Sequence, residues 1–154
     1  MSATTPTAQP LGDAYRAMLG VERAIAKSRI ELSLRELIKL RVSQINGCAF
    51  CIDMHWKDAR AAGETEQRLY SLPAWRECPY YSQRERAALS LAEGLTRLAD
   101  KPAPEETIEE AHEQFNAGEL EDLLWVIAAI NAWNRVSIGS RKPPGEYQPA
   151  GATP

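Results

Sequence analysis

The sequence predicts an all-α domain, and three observations carry that expectation. Every segment with regular apolar spacing follows the helical i, i+3, i+4, i+7 rule, and no stretch of useful length alternates apolar and polar residues as a strand would. Two Ser-x-x-Glu sequences, Ser33 to Glu36 and Ser82 to Glu85, have the form of a capping box at a helix start. Hydrophobic residues make up 44% and charged residues 25% of the 154 residues, an ordinary globular balance with enough chain for one compact core.

Residues 13–27 carry Tyr15, Met18, Leu19, Val21 and Ile25 near one stripe and predict a first helix. A second is expected to open on Ser33-Leu-Arg-Glu36 and run through Ile45, until Asn46-Gly47 breaks it. A third begins near Cys48 and ends at Gly63, a glycine suited to the position just past a helix. A short helix over 64–71 follows, then an irregular stretch bracketed by Pro73 and Pro79. Ser82 heads a helix reaching Leu98, Lys101-Pro-Ala-Pro104 is a loop, and residues 105–115 form an acidic helix. Gly118 precedes the last long helix, Glu119 to Ile138, in which Leu120, Leu123, Leu124, Trp125, Val126, Ile127 and Ile130 point to nearly all sides. A helix apolar all round is buried, and here burial both in the core and between subunits is expected. Residues 1–10 are polar and rich in Ser, Thr, Ala and Pro, so a disordered lead-in is expected there, a folded domain over 11–147 and a flexible tail over 148–154.

The formal net charge is −3 with no basic block, which argues against nucleic acid as a partner and against a polybasic membrane anchor. The N-terminus has no charged and then apolar signal-peptide pattern, and the apolar run over 123–130 is too short to span a bilayer. A cytoplasmic protein is therefore expected, in a compartment where ordinary thiols stay reduced. Three cysteines, two of them three positions apart, do not make a secreted disulfide framework; that spacing points to redox chemistry or metal. No Gly-rich phosphate loop or dinucleotide fingerprint is present, and no cofactor is expected.

The chemistry concentrates in Cys48, Cys51 and His55. Cys48 and Cys51 are i, i+3, and Cys51 and His55 are i, i+4, so on a helix all three share one face. Gly47 sets Cys48 at a helix N-terminus, where free N–H groups stabilise a thiolate. A thiol of pKa about 8.5 is roughly 3% ionised at neutral pH, whereas one at about 6.5 is roughly three-quarters ionised. His55 is the natural proton partner of Cys51. Cα atoms one helical turn apart lie about 5 Å from each other, within disulfide range. Closing so small a loop stabilises a fold by about 2 kcal/mol at most, so the pair reads as a bond made to open and close. Zinc is the competing reading and would need Cys78 or His112 as a further ligand. No second Cys-x-x-Cys or His-x-x-x-His exists, and no metal is expected. Glu36 has two open readings at this point: the carboxylate of the Ser33 capping box, or a buried carboxylate returning to the cysteines when the second and third helices pack. Trp56, Trp75, Tyr80 and Tyr81 are candidates for an apolar entrance as well as for core.

The segment from Glu36 to His55 resembles the active-site motif of the AhpD-like alkylhydroperoxidases, within the carboxymuconolactone decarboxylase superfamily. Ala59-Arg60-Ala61-Ala62-Gly63-Glu64 and Ile127-Ala-Ala-Ile-Asn131-Ala-Trp133-Asn134-Arg135 extend the likeness over most of residues 13–147. The resemblance implies an all-α AhpD-like fold assembled as a homotrimer or homohexamer. It implies Cys51 as the thiol that attacks a hydroperoxide, Cys48 as the resolving thiol, and His55 and Glu36 as a proton relay. A dithiol donor, lipoyl or thioredoxin-like, would then restore the pair. Phe50 stands where the founding members carry a second His, which implies a shorter relay. Decarboxylases of the family lack the Cys-x-x-Cys, so decarboxylation is not expected. The alternatives are a protein or lipoyl disulfide reductase and a non-catalytic, redox-sensing helical assembly module.

Overall fold

The computed structural model describes residues 12–150. The lead-in expected over 1–10 and residues 151–154 of the expected tail lie outside them. Among the described residues there are α-helices and one 3-10 turn, with no strand. The helices are α1 (Asp13–Ala26), α2 (Leu32–Asn46), α3 (Ala49–Ala61), α4 (Glu66–Ser71), α5 (Gln83–Thr96), α6 (Glu105–Gln114) and α7 (Ala117–Gly139); the 3-10 turn, Leu72–Glu77, joins α4 towards α5.

The fold is built around α2. From Glu36 to Ser43 every one of its residues is buried. Leu34, Ile38 and Val42, spaced by four, face an apolar cluster that includes Ile25 of α1, Leu91 of α5, Ala111 of α6 and Ile130 of α7. Leu37 and Leu40 face a second cluster with Leu69 of α4, Leu72 and Trp75 of the 3-10 turn, and Leu89 of α5. Each fully buried leucine contributes roughly 1.5–3 kcal/mol of transfer free energy. Helix α2 is thus the wall shared by both clusters.

Burial on all sides forces the polar residues of α2 to find partners, because an unpaired buried charge or hydroxyl is costly. Glu36 meets His55 of α3 at 2.7 Å. Lys39 donates to Glu22 of α1 at 2.8 Å, and Arg41 donates to Glu93 of α5 at 2.7 Å. The Ser43 hydroxyl donates to the Lys39 carbonyl and accepts from Asn134 of α7. Among the described residues no fully buried side-chain nitrogen or oxygen lacks a hydrogen-bond partner.

Two sequence expectations need correction. Helix α2 starts at Leu32 with Glu31 in the cap position and no side-chain cap. Glu36 therefore falls two positions too late to reach back to the cap, and the Ser33 capping box does not form. Helix α7 is capped by Asn116, whose side chain and Glu119 bond reciprocally, so Gly118 lies inside the helix rather than before it. Helix α2 is enclosed over residues 36–43, whereas on α7 Leu123, Val126, Ile127 and Ile130 are buried in the core and Leu124 and Trp125 are 42% and 56% exposed in the single chain. The capping box at Ser82 is present as expected.

Glu93 makes the tightest of these polar junctions. It accepts from the Arg41 guanidinium, from the Trp75 indole at 3.0 Å and from Arg76. Burial works against its ionisation, but these three donors overcome that and hold its pKa below the ordinary carboxylate value. Glu93→Ala would leave Arg41 buried without its counter-charge. Urea unfolding is expected to show a loss of about 3–5 kcal/mol, the usual cost of breaking a buried pair from one side. A loss below about 1 kcal/mol, the range of surface pairs, would show that water replaces the carboxylate.

Candidate active site

The site is made by the turn between α2 and α3. Gly47 has φ of 70°, the left-handed conformation that ends α2 and that other residues adopt only with strain. The N–H of Cys48 then reaches back to the Ser43 carbonyl at 3.0 Å, closing the helix end. This delivers Cys48 to the N-cap of α3, where its sulfur accepts from the Cys51 N–H at 3.4 Å. The two cysteines form a disulfide, with Cα atoms 5.3 Å apart. Both are buried.

One turn further along α3, His55 is held by Glu36. Burial opposes ionisation of Glu36, yet its hydrogen bond to His55 and the charges of His55, Lys39 and Arg35 outweigh it, so its pKa is lowered. An ionised carboxylate only accepts, so His55 donates through Nδ1. That orientation leaves Nε2 as the nitrogen able to exchange a proton with a neighbour. The open question about Glu36 is thereby resolved structurally: it is the buried carboxylate, not a cap.

Sequence reasoning missed Asp58, Tyr147 and the surrounding polar frame. Ligating atoms of Glu36, His55 and Asp58 all lie within 4.8 Å of one another. Asp58 follows His55 by three and Cys51 by seven, a spacing that marks the same helix face and was the available signal. Its carboxylate accepts from the Tyr147 hydroxyl at 2.7 Å. The same C-terminal segment is tied to α3 at Lys57, which donates to the Gly145 and Tyr147 carbonyls, and at Asp53, which accepts from the Gly145 N–H. On the other side, Asn46 donates to Asn131 and Asn134 of α7 and so fixes the end of α2 beside Gly47.

Cys51, His55, Glu36 and Asp58 line one cavity of about 290 Å³ between α1, α3 and α7. Cys48 does not line it and connects to it through Cys51. The aromatic walls are Tyr15, Phe50 and Trp133. The four aromatics considered for an entrance lie elsewhere: Trp75 and Tyr81 are core, and Trp56 and Tyr80 are partly exposed away from the cavity. Cys78 packs against the second apolar cluster and donates to the Ala74 carbonyl, and His112 is exposed on α6, so neither approaches the cysteine pair.

The described residues thus form an all-helical domain with a cysteine pair at a helix start and a carboxylate-held histidine one turn later. The chain belongs to the carboxymuconolactone decarboxylase family, whose model matches residues 10–94, and to its AhpD-like members. It is 48% identical over 126 residues to the uncharacterized protein YdfG of Bacillus subtilis, covering 82% of this chain and 86% of that one. A crystal structure of an Agrobacterium tumefaciens protein of unknown function, described as a candidate antioxidant defence protein AhpD, is 38% identical with a TM-score of 0.83, covering 88% and 92% of the two chains. An uncharacterized peroxidase-related protein from Silicibacter is 25% identical with a TM-score of 0.75, covering 86% of this chain and 70% of that one. Family membership and the Cys48–Cys51 pair fit an enzyme of antioxidant type. Among the described residues no helix is long and apolar enough to cross a membrane.

The carboxylates of the site titrate with opposite consequences. Burial raises the pKa of Asp58, the Tyr147 hydrogen bond opposes this, and the charge of Glu36 adds to the rise. A carboxyl with a raised folded pKa binds more protons folded than unfolded, so its contribution falls as pH rises above its ordinary 3.8. Asp58→Asn keeps an oxygen for Tyr147 and removes the charge. Its melting temperature is expected to exceed the parent's near neutral pH, with the gap closing on acidification below the ordinary carboxyl range. A variant less stable than the parent at neutral pH would show that ionised Asp58 is a net stabiliser.

Proposed function

We propose that the protein is a thiol-dependent hydroperoxide reductase. The observation that carries this reading is the arrangement on α3: Cys51 faces the cavity, Cys48 is bonded to it from behind, and His55 stands one turn away, oriented by Glu36. In the reduced protein His55 Nε2 takes the Cys51 proton, and the helix start favours the resulting thiolate. The thiolate sulfur attacks the terminal oxygen of a hydroperoxide, the O–O bond breaks, and the alkoxide leaves with a proton returned by His55 to give an alcohol. Cys51 is now a sulfenic acid. The Cys48 thiol displaces it, releasing water and forming the disulfide. An external dithiol, lipoyl or thioredoxin-like, reduces the disulfide by exchange and is itself oxidised. The net reaction consumes one hydroperoxide and one dithiol and yields alcohol, water and the donor's disulfide. Such a cycle belongs in a reducing compartment, the cytoplasm.

The reading includes self-association as a homotrimer or homohexamer. Leu124, Trp125 and Ile138 are exposed apolar residues on α7, the kind of side chains that a second copy covers.

The test is single-turnover oxidation. Reduced protein given one equivalent of a hydroperoxide is expected to form the Cys48–Cys51 disulfide, read by mass spectrometry. Cys51→Ser is expected to abolish the reaction, while Glu36→Gln and His55→Asn slow it about 100-fold, the lower end of general acid–base contributions. An unchanged rate in Cys51→Ser would sink the proposal.

A further inference from the structure

Three carboxylates, Glu22, Glu36 and Asp58, line the cavity with two lysines, Lys39 and Lys142, and with His55. Lys39 is matched by Glu22, whose other oxygen accepts from the Trp133 indole. Glu36 is hydrogen-bonded to His55, and Asp58 accepts from the neutral Tyr147 hydroxyl. The remaining charged group is Lys142, just past the end of α7, which has no carboxylate partner among the described residues. Its ammonium rests on the face of Phe50, 3.8 Å from the ring centroid. An aromatic face attracts a cation but carries no net charge, so an anion arriving at this exposed end of the cavity would meet an ammonium that no carboxylate holds.

The placement of Lys142 matters as much as its charge. Phe50 and Asp58 lie eight residues apart on α3, which is about 12 Å along the helix axis at about 1.5 Å per residue. The cavity therefore has Lys142 at the end of α3 that carries Cys51, and Asp58 towards the other end. Between α1 and α7 the walls are apolar, with Leu19, Ile130, Trp133 and Val136. An apolar body suits those walls, and a single negative group suits Lys142.

We propose that this cavity is a subsite for amphiphilic carboxylates, with Lys142 as the group that selects the acid, and that the substrates are hydroperoxides bearing a carboxylate. The substrate half rests on the hydroperoxide reductase reading; the subsite half does not. Lys142 forms a charge-assisted hydrogen bond with the carboxylate, and the alkyl or aryl portion displaces water from the apolar walls. Such a bond in a partly open site is worth about tenfold in affinity.

Calorimetric titration of the intact, disulfide-form protein with octanoate and with 1-octanol at near neutral pH tests the subsite without any turnover. Octanoate is expected to bind about tenfold more tightly than 1-octanol, with the preference shrinking as salt is raised. Lys142→Gln is expected to bring octanoate down to the affinity of 1-octanol, and Lys142→Arg to retain the preference. Binding of 1-octanol by Lys142→Gln reports that the variant is folded and its cavity intact. Equal affinities in the parent, a preference that survives Lys142→Gln, or no binding of either probe would each overturn the subsite. If octanoate binds as expected but no hydroperoxide oxidises the cysteine pair, the reductase reading fails while the subsite stands. If the pair is oxidised by neutral and carboxylate-bearing hydroperoxides at equal rates, the substrate assignment fails and the reductase reading stands.

Discussion

Burial of α2 on every side is the constraint on which the remaining structure depends. A helix in that position can be entirely apolar, or it can carry polar groups that are each answered from a neighbour. This chain takes the second course. Glu36, Lys39, Arg41 and Ser43 are answered from α3, α1, α5 and α7 respectively. Four helices are thereby placed around one by directional bonds, while the leucines between those polar residues supply the non-directional burial. Apolar packing alone tolerates sliding and rotation; a buried hydrogen bond of 2.7 Å to a carboxylate tolerates little of either.

The site inherits its geometry from this arrangement. Glu36 does two jobs with one contact: it satisfies its own burial and fixes the ring orientation of His55. The turn at Gly47 is clamped from behind by Asn46 on Asn131 and Asn134, and Cys48 is set by its bond back to Ser43. Ser43 itself accepts from Asn134, so the α7 asparagines hold both the last turn of α2 and the start of α3. Helices carry Cys51, His55, Glu36 and Asp58, and Cys48 caps α3, an arrangement that places each side chain reproducibly.

Much of this was legible in the sequence because local rules and tertiary demands agreed. The helix order, the break at Gly47, the Ser82 cap and the shared face of Cys48, Cys51 and His55 all follow from spacing within one segment. The failures came where a local rule competed with a distant partner. Ser33 and Glu36 have the spacing of a cap, but Glu36 is drawn to His55, nineteen positions away. Enclosure of α2 had no local signal either, because its charged residues are answered by partners that no local window contains. Asp58 and Tyr147 meet across eighty-nine positions, a pairing with no periodic signature.

The division of labour between α2 and the cysteines has a physical consequence. The Cys48–Cys51 bond joins residues separated by three positions within one helical turn. Loop-closure entropy for so short a span is small, and no second helix is held by the bond. The helices are held instead by the partners of α2, none of which involves sulfur. Opening the disulfide therefore leaves the polar frame of the fold in place, and the Gly47 turn returns the two thiols to reach of each other. A redox pair placed this way can be broken and remade while His55 and Glu36 keep the positions that any proton transfer to or from Cys51 requires.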